Sequence, residues 1–345
     1  MTSPTRSASK NFPDPNPMQI DSLPRFSLAH LPTPVEELKT LSRRLAGPEL
    51  LIKRDDQTGL ALGGNKTRKL EFLLGEAIAK GADTLVTLGA AQSNHCRQTA
   101  AAAAKAGLNC ELILNGKKPE VANGNLLLDE ILGANLHWIE RSQRAAKLAE
   151  LDAQLRGQGR KPYLIPVGGS NGVGATGYVV AMLELMEQLR MSGRRVDHIL
   201  FGTSSGGTQA GIVLGARVAG FTGKLHGLSI DKNDPEHFEY EAEVAQIAND
   251  CAAYIGSPVR VTRDEVKVVY GYKGEGYGVV GDVERDAIRL LARSDGIVLD
   301  PVDAGRAFGG LVDLIRRGVF KPSETVLFWH TGGAPALFAY AKELA

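Results

Sequence analysis

Short apolar runs rich in β-branched residues alternate along this chain with longer stretches in which apolar residues recur every three or four positions. The runs at 50–53, 84–88, 110–114, 136–139, 163–167, 198–202, 225–230, 266–270, 297–299 and 326–330 predict strands. The stretches at 67–80, 93–106, 124–132, 142–155, 176–191, 208–219, 236–254, 282–292 and 304–316 predict helices. In the first of these, Leu70, Leu73, Leu74, Ala77 and Ile78 form one stripe at helical spacing. Strands and helices in this alternation predict an α/β fold with largely parallel sheets. Such sheets present ligand sites at the C-terminal ends of their strands, so the strand-to-helix junctions are where chemistry is expected.

The chain has 345 residues, enough for two domains. Forty Lys+Arg against 39 Asp+Glu leave a formal charge of +1, which argues against nucleic acid or an anionic membrane as the main partner. Glycine is in excess, 40 of 345 residues or about 12% against a usual ~7%. Cys96, Cys110 and Cys251 cannot build a disulfide framework and point to a reduced, cytoplasmic setting. Residues 1–18 have no apolar core of a signal peptide and are expected to be a flexible tail. Two stretches, 162–183 and 198–216, carry no Asp, Glu, Lys or Arg, but glycine and hydroxyl residues interrupt both, so neither is expected to span a membrane.

The glycines gather at five junctions: GGNKTRK at 63–69, GAAQSNH at 89–95, GGSNGVGATG at 168–177, GTSSGGTQAG at 202–211 and HTGGAPAL at 330–337. The fourth can hold a phosphate, because consecutive Gly and Ser let several amides converge at a helix N-terminus. A plain turn with hydroxyl capping would read the same, and no GK[ST] follows to suit a nucleoside triphosphate. GVGATG at 172–177 matches a dinucleotide fingerprint, yet the next strand ends in Gly-Thr-Ser and lacks the acidic residue a ribose needs. Lys66 opens a helix, where an ammonium is misplaced; with Arg68 and Lys69 beside it, the neutral amine that adds to a carbonyl is favoured. Three basic residues on a solvated helix start would be the plainer reading. Ser93 and Asn94 open another helix, suiting a substrate carboxylate or simply capping it. His95 and Cys96 are adjacent and point apart, and no residue set has metal-ligand spacing, so no metal is expected.

At these junctions the chain resembles the 1-aminocyclopropane-1-carboxylate deaminase and D-cysteine desulfhydrase family of pyridoxal phosphate enzymes, of the tryptophan-synthase-β-like fold type II. The resemblance runs from about 28 to 342 through HLPTP (30–34), KRDD (53–56), GGNKTRKLEFLL (63–74), QSNH (92–95), PVGGSNGVGATGY (166–178), GTSSGGTQAG, GYG (276–278), AIRLLARSDGIVLDPV (287–302) and HTGGAPALFAY (330–340). It implies two open three-layer domains with the cofactor between them: 19–68 plus 179–345 as the large domain and 69–178 as the small one. It implies Lys66 as the lysine bonded to pyridoxal 5'-phosphate, and Ser205, Gly206, Gly207 and Thr208 as the phosphate loop. Asn94 would meet the cofactor's 3-hydroxyl and Thr331 its ring nitrogen. Ser93, Asn94, His95 and Asp303 would contact substrate, with Ser93 and Tyr277 assisting catalysis. A homodimer acting on a small amino acid is implied as well.

One departure bears on activity. The family pattern DPVY is DPVD here, placing Asp303 where a tyrosine lies over the substrate, and Ala304 replaces the deaminase glutamate at the ring nitrogen. Opening a cyclopropane is thereby disfavoured, while β-elimination demands less of the ring. The expectation is a lyase converting D-cysteine to pyruvate, ammonia and sulfide. Elimination of sulfite from L-cysteate, deamination of the cyclopropane acid, and a non-catalytic cofactor-binding protein are the alternatives. A carboxylate at 303 would repel a sulfonate and suit a cationic or hydrogen-bonding group.

Overall fold

The computed structural model describes residues 19–232 and 239–345. Two sheets organise them. The larger runs β1 (Val35–Glu37), β2 (Glu49–Arg54), β10 (Thr325–His330), β7 (His198–Thr203), β8 (Lys224–Ser229), β9 (Val268–Val269), with β1 alone antiparallel to its neighbour. The smaller, all parallel, runs β5 (Asn135–Ile139), β4 (Asn109–Asn115), β3 (Thr84–Ala90), β6 (Pro162–Leu164).

The strands are apolar on both sides because helices cover both sides. Leu50, Ile52, Leu200, Val326 and Phe328 join one core with α1 (Lys39–Leu45), α9 (Asp282–Asp295) and α10 (Ala304–Arg316). Their alternates Leu51, Ile199, Phe201, Leu327 and Trp329 join another with α6 (Gly172–Ser192) and α7 (Gly207–Ala219). Each such buried side chain contributes roughly 1.5–3 kcal/mol. The smaller sheet repeats the scheme. Leu85, Leu112 and Leu114 meet α2 (Lys66–Ala79) and α3 (Asn94–Ala106), while Val86, Leu88 and Ile113 meet α5 (Arg144–Gly157). Of the remaining helices, α4 (Gly124–Ile131) packs on α3 and α8 (Tyr240–Tyr254) packs on α6 and α7, while two short ones, Ala336–Ala339 and Ala341–Leu344, close the chain.

Nine of the ten strand runs form strands. The tenth, 297–299, pairs with no strand among the described residues: Ile297 and Leu299 are buried in the core, Val298 between them is exposed, and Pro301 follows. The edge strand β1 and the short helix α1 escape the sequence pattern, since VEE and KTLSRRL bury too little to print a period. Residues 1–18 and the start of the 236–254 helix lie outside the described residues. The smaller sheet falls within 84–164, inside the segment expected as the small domain; the 178/179 edge of that segment falls within α6.

No helix among the described residues is long and apolar enough to cross a membrane. The uncharged stretches have a packing cause. They hold β6, β7, α7 and the first half of α6, and the two helices press together through glycine. A Cβ on Gly211 would lie 2.3 Å from the Ala175 carbonyl oxygen, and one on Gly215 would lie 2.7 Å from the Met182 Cβ. GVGATG is thus the first turns of α6, with Gly177 against the Arg68 carbonyl of α2.

Candidate active site

The order of the larger sheet changes direction beside β7: the chain goes from β7 to β8 on one side, and returns as β10 on the other. Ligands of open α/β sheets bind at such a point. A cavity opens there, lined by Asn65, Lys66, Gly202, Thr203, Ser204, Ser205, Gly206, Thr208, Ile230, Asp303 and Thr331. Larger surface grooves lie elsewhere, but they lack this convergence of strand ends and helix starts.

Lys66 is the first residue of α2 and follows four consecutive residues with positive φ, Ala61 (43°), Leu62 (71°), Gly63 (71°) and Gly64 (129°). Two of these are not glycine, so the turn is strained and must be held. Arg97 holds it: its buried guanidinium donates to the carbonyls of Ala61 and Gly63 (2.9 Å for the latter), to Asn94 Oδ1 and to Asn125 Oδ1 at 2.7 Å. Gly63 is obligatory, since a Cβ would lie 1.9 Å from the Asp56 carbonyl oxygen. Lys66 Nζ donates to Asn65 Oδ1 at 3.1 Å. Burial lowers the lysine pKa and the Arg97 charge adds to that; Asp303 and Asp300 oppose it. Burial is thus the main source of the lowering, and Lys66 and Lys69 also repel one another.

Those neighbours are not solvated either. Arg68, 1% exposed, donates to both oxygens of Asp55 (2.8 and 2.9 Å) and of Glu184 on α6 (2.9 and 3.0 Å). Asp55, fully buried, also accepts from Thr33 Oγ1, Tyr178 Oη and Trp329 Nε1 at 2.7–2.9 Å. Arg68 and Lys53 hold the Asp55 carboxyl down at about 2 against its burial. The main-chain oxygen of Asp55 accepts the Gly64 amide at 3.1 Å, so one residue fixes the chain on both sides of Lys66. Lys69 Nζ reaches inward to the Gly168 carbonyl (3.0 Å).

The glycine-rich loop after β7 ends at Gly206, which begins α7 at φ 84° without a side-chain cap. Helix-start amides left open this way form an anion site. Ser170 buttresses it: its hydroxyl donates to Ser205 Oγ at 2.8 Å and accepts the Gly207 amide at 3.1 Å. Ser204 donates to Asp231 Oδ2 at 2.8 Å, and Lys232 Nζ donates to Asp231 Oδ1 and the Ser204 carbonyl, both at 2.8 Å.

Asn94 reaches the cavity through Asn65, donating to its Oδ1 at 3.2 Å, while Asn65 donates to Thr208 Oγ1 at 3.1 Å. Asn65 thus ties together the three helix starts of α2, α3 and α7. Ser93 caps α3, accepting the Cys96 amide at 3.2 Å, which leaves its hydroxyl proton free to donate. His95 is not among the residues lining the cavity. Its Nε2 bonds Thr87 Oγ1 at 2.8 Å, and burial pushes its pKa well down, so the ring is neutral. Thr87 gives its own proton to the Ile165 carbonyl, which makes His95 Nε2 the donor and leaves Nδ1 without a partner among the described residues. Tyr277 is outside the lining, 42% exposed, with Asp303 and Asp300 as its foremost charged neighbours. The lining itself brings together Lys66, Ser205, Gly206, Thr208, Thr331 and Asp303. Asp55, Asn65, Arg97 and Ser170 are the residues that sequence reasoning missed; all but Arg97 lie inside motifs already picked out, where spacing reveals no partner.

These residues fit pyridoxal phosphate. An amine with lowered pKa, an uncapped helix start with hydroxyls for a dianion, and Thr331 face one cavity. The close approach of Gly332 to Gly64, where a Cβ would lie 2.6 Å from the Gly64 Cα, brings the loop after β10 against the lysine loop.

Comparison with known proteins agrees. The pyridoxal-phosphate dependent enzyme family matches residues 26–332. The chain is 40% identical to the D-cysteine desulfhydrase of Klebsiella pneumoniae (strain 342), over 94% of this chain and 98% of that protein. The crystal structure of an ACC deaminase homologue superposes with a TM-score of 0.85 at 38% identity, covering 94% of this chain and 96% of the other. O-ureido-L-serine synthase, at 17% identity and a TM-score of 0.63 over 93% of each chain, shares the fold. The chain belongs to the pyridoxal-phosphate dependent enzyme family.

Proposed function

We propose that this protein is a pyridoxal-phosphate-dependent lyase that eliminates the β-substituent of a small amino acid, with D-cysteine giving pyruvate, ammonia and sulfide. The observation that carries the reading is Lys66, an amine of lowered pKa at the head of α2, sharing one cavity with the open N-terminus of α7. The 40% identity to a D-cysteine desulfhydrase over nearly the whole chain supports the substrate.

Lys66 is the residue that would bond the cofactor. The amides and hydroxyls of Ser205, Gly206, Gly207 and Thr208 would hold its phosphate, Thr331 would meet the ring nitrogen and Asn94 the 3-hydroxyl. When bound, pyridoxal phosphate supplies an electron sink for the bonds broken at Cα. The substrate carboxylate would sit at the start of α3, where the Ser93 hydroxyl and Asn94 amide can donate. The second Asn94 proton is available for this, because the first is committed to Asn65 and Oδ1 to Arg97. Lys66, whose pKa burial lowers, takes the α-proton as general base. Tyr277 and Ser93 would assist departure of the thiol. His95, one residue further along α3, would contact the substrate as well.

Ala304 favours elimination over opening of a cyclopropane. It is buried and its amide donates to Asp300 Oδ1 at 2.7 Å, so position 304 brings no carboxylate to the ring. We take 69–178 as the small domain and 19–68 with 179–345 as the large one, and the working form as a cytoplasmic homodimer. Pyruvate release is measured with D-cysteine, L-cysteine, L-cysteate and 1-aminocyclopropane-1-carboxylate, alongside the visible spectrum. D-cysteine should be the best substrate, and the cofactor band should vanish in Lys66→Ala. Purified protein that retains no pyridoxal phosphate, or a bound cofactor that answers no amino acid, would overturn the reading.

A further inference from the structure

We propose that Asp303 is a specificity-determining residue that selects amino acids bearing a cationic β-substituent, of the 2,3-diaminopropionate type, over those bearing an anionic one. The inference rests on the lyase reading above and adds to it a substrate class.

The carboxylates around the cavity differ in how they are engaged. Asp300 spends both oxygens on the amides of Val302, Asp303 and Ala304, at 2.7–2.8 Å. Asp231 accepts from Ser204 and Lys232. The Asp303 carboxylate accepts no hydrogen bond and joins no ion pair among the described residues, yet it lines the cavity with Lys66. The cations that could neutralise it are occupied. Arg306 gives its guanidinium to Glu284 and to the carbonyls of Ile230, Lys273, Gly276 and Val279. Lys232 is held by Asp231 and the Ser204 carbonyl. Lys66 is left; its charge acts on Asp303, but it is the residue that would bond the cofactor and so is not free to pair with that carboxylate. A free carboxylate on the wall of a substrate cavity is an unmet demand for a cation.

Burial raises the Asp303 pKa and Asp231 adds to it, against the opposing charges of Lys66 and Arg306, so a substrate ammonium beside it would help keep it ionised. A sulfonate or carboxylate on Cβ meets the opposite field. For 2,3-diaminopropionate the elimination balances without an added oxidant or reductant. The Cα–H bond breaks with its proton passing to Lys66, and the Cβ–N bond breaks with its electron pair leaving on ammonia. With one water the products are pyruvate and two ammonia.

The test uses the holoenzyme, wild type, Asp303→Asn and Asp303→Glu. Dissociation constants for 2,3-diaminopropionate and cysteate, both enantiomers of each, are read from the shift in cofactor absorption, with pyruvate release as a second readout. Wild type should favour the cationic ligand by about a hundredfold at low ionic strength, and the preference should shrink in high salt. Asp303→Asn should cut the ratio at least about tenfold, and Asp303→Glu should keep most of it. Wild type that binds cysteate as tightly as the diamine overturns the proposal without any variant. A ratio unchanged in Asp303→Asn, with the unliganded cofactor spectrum shifted instead, overturns it in favour of contact with the cofactor ring. Both results leave D-cysteine turnover, and hence the lyase reading, standing; a holoenzyme that answers neither ligand nor D-cysteine sinks both.

Discussion

Replacing Asp55 by Asn should destabilise the protein far more than the loss of one charge suggests. Asp55 accepts five hydrogen bonds from four groups: two from Arg68 and one each from Thr33, Tyr178 and Trp329. An amide nitrogen in place of Oδ2 would face three donors, the Arg68 Nε, the tyrosine hydroxyl and the indole. In place of Oδ1 it would face two, and only the Thr33 hydroxyl can turn to accept. At least one guanidinium N–H is stranded in a fully buried site, with Glu184 left as its counter-ion. Removing one partner of such a pair costs about 3–5 kcal/mol. Titration gives a smaller figure for the same carboxylate. Its pKa is lowered from 3.8 to about 2, so it contributes about 2 kcal/mol above pH 3.8, lost as pH falls toward 2. The two differ because the titration value already carries the cost of burying the charge, whereas the substitution leaves a buried Arg68 N–H without an acceptor. Urea denaturation at pH 7 followed by tryptophan fluorescence measures the first, with Trp329 itself in the network. Asp55→Asn combined with Arg68→Met should recover much of the loss, since no charge is stranded. A single variant within about 1 kcal/mol of wild type, or a double variant no better than the two losses added, would refute the argument.

Three further outcomes are expected. Asp129 is buried with no hydrogen-bond partner for either oxygen among the described residues, and burial pushes its carboxyl up to about 8; stability should fall as pH rises from 3.8 to 8, and Asp129→Asn should gain up to about 5 kcal/mol over wild type at pH 9, by urea denaturation across pH. Gly177→Ala puts a Cβ 2.2 Å from the Arg68 carbonyl oxygen, forcing α6 off α2 at a cost of about 1–3 kcal/mol or more, whereas Gly157→Ala meets open space at the end of α5 and should gain about 0.5–1 kcal/mol; thermal melts of the two variants should move in opposite directions. Ser170→Ala removes the hydroxyl that braces Ser205 and the Gly207 amide, and pyridoxal phosphate affinity, titrated by fluorescence quenching of the apoprotein, should fall about tenfold.

How much of this was legible in the sequence depended on what buries each residue. Strands flanked by helices on both faces are apolar at nearly consecutive positions, and so β2, β3, β4, β7 and β10 stand out as runs. β1 does not, because an edge strand with half-buried Val35–Glu37 has no such demand. The same logic inverted misleads at 297–299, where burial without a ladder prints the pattern of a strand. The junction loops were legible because glycine and hydroxyl residues have few other reasons to cluster beside a strand end. On α2, by contrast, Arg68, Lys69 and Glu71 read as a solvated face and are buried. Their partners lie far off in sequence: Asp55 is 13 residues from Arg68, and Glu184 is 116. Nothing in a local period announces a pairing at that distance.

Glycine carries this point into the site. The 40 glycines suggest backbone drawn close to a ligand, and Gly206 at the head of α7 fits that account. Gly172, Gly177, Gly211 and Gly215 do not, for a Cβ on each would strike a neighbouring helix and not a cavity. These two uses of glycine depend on each other. α7 can present its open amides at the sheet's turning point only if α6 lies close enough beside it, and α6 brings Tyr178 and Glu184 to the Asp55–Arg68 network only if Gly177 lets it touch α2. Lys66 sits between those two arrangements, two residues from Arg68 and bonded to Asn65, which in turn holds Thr208 of α7. The position of the amine is therefore set by helix packing outside the cavity. Substitutions at Gly177 or Asp55 should accordingly loosen the cofactor site even though neither side chain lines it.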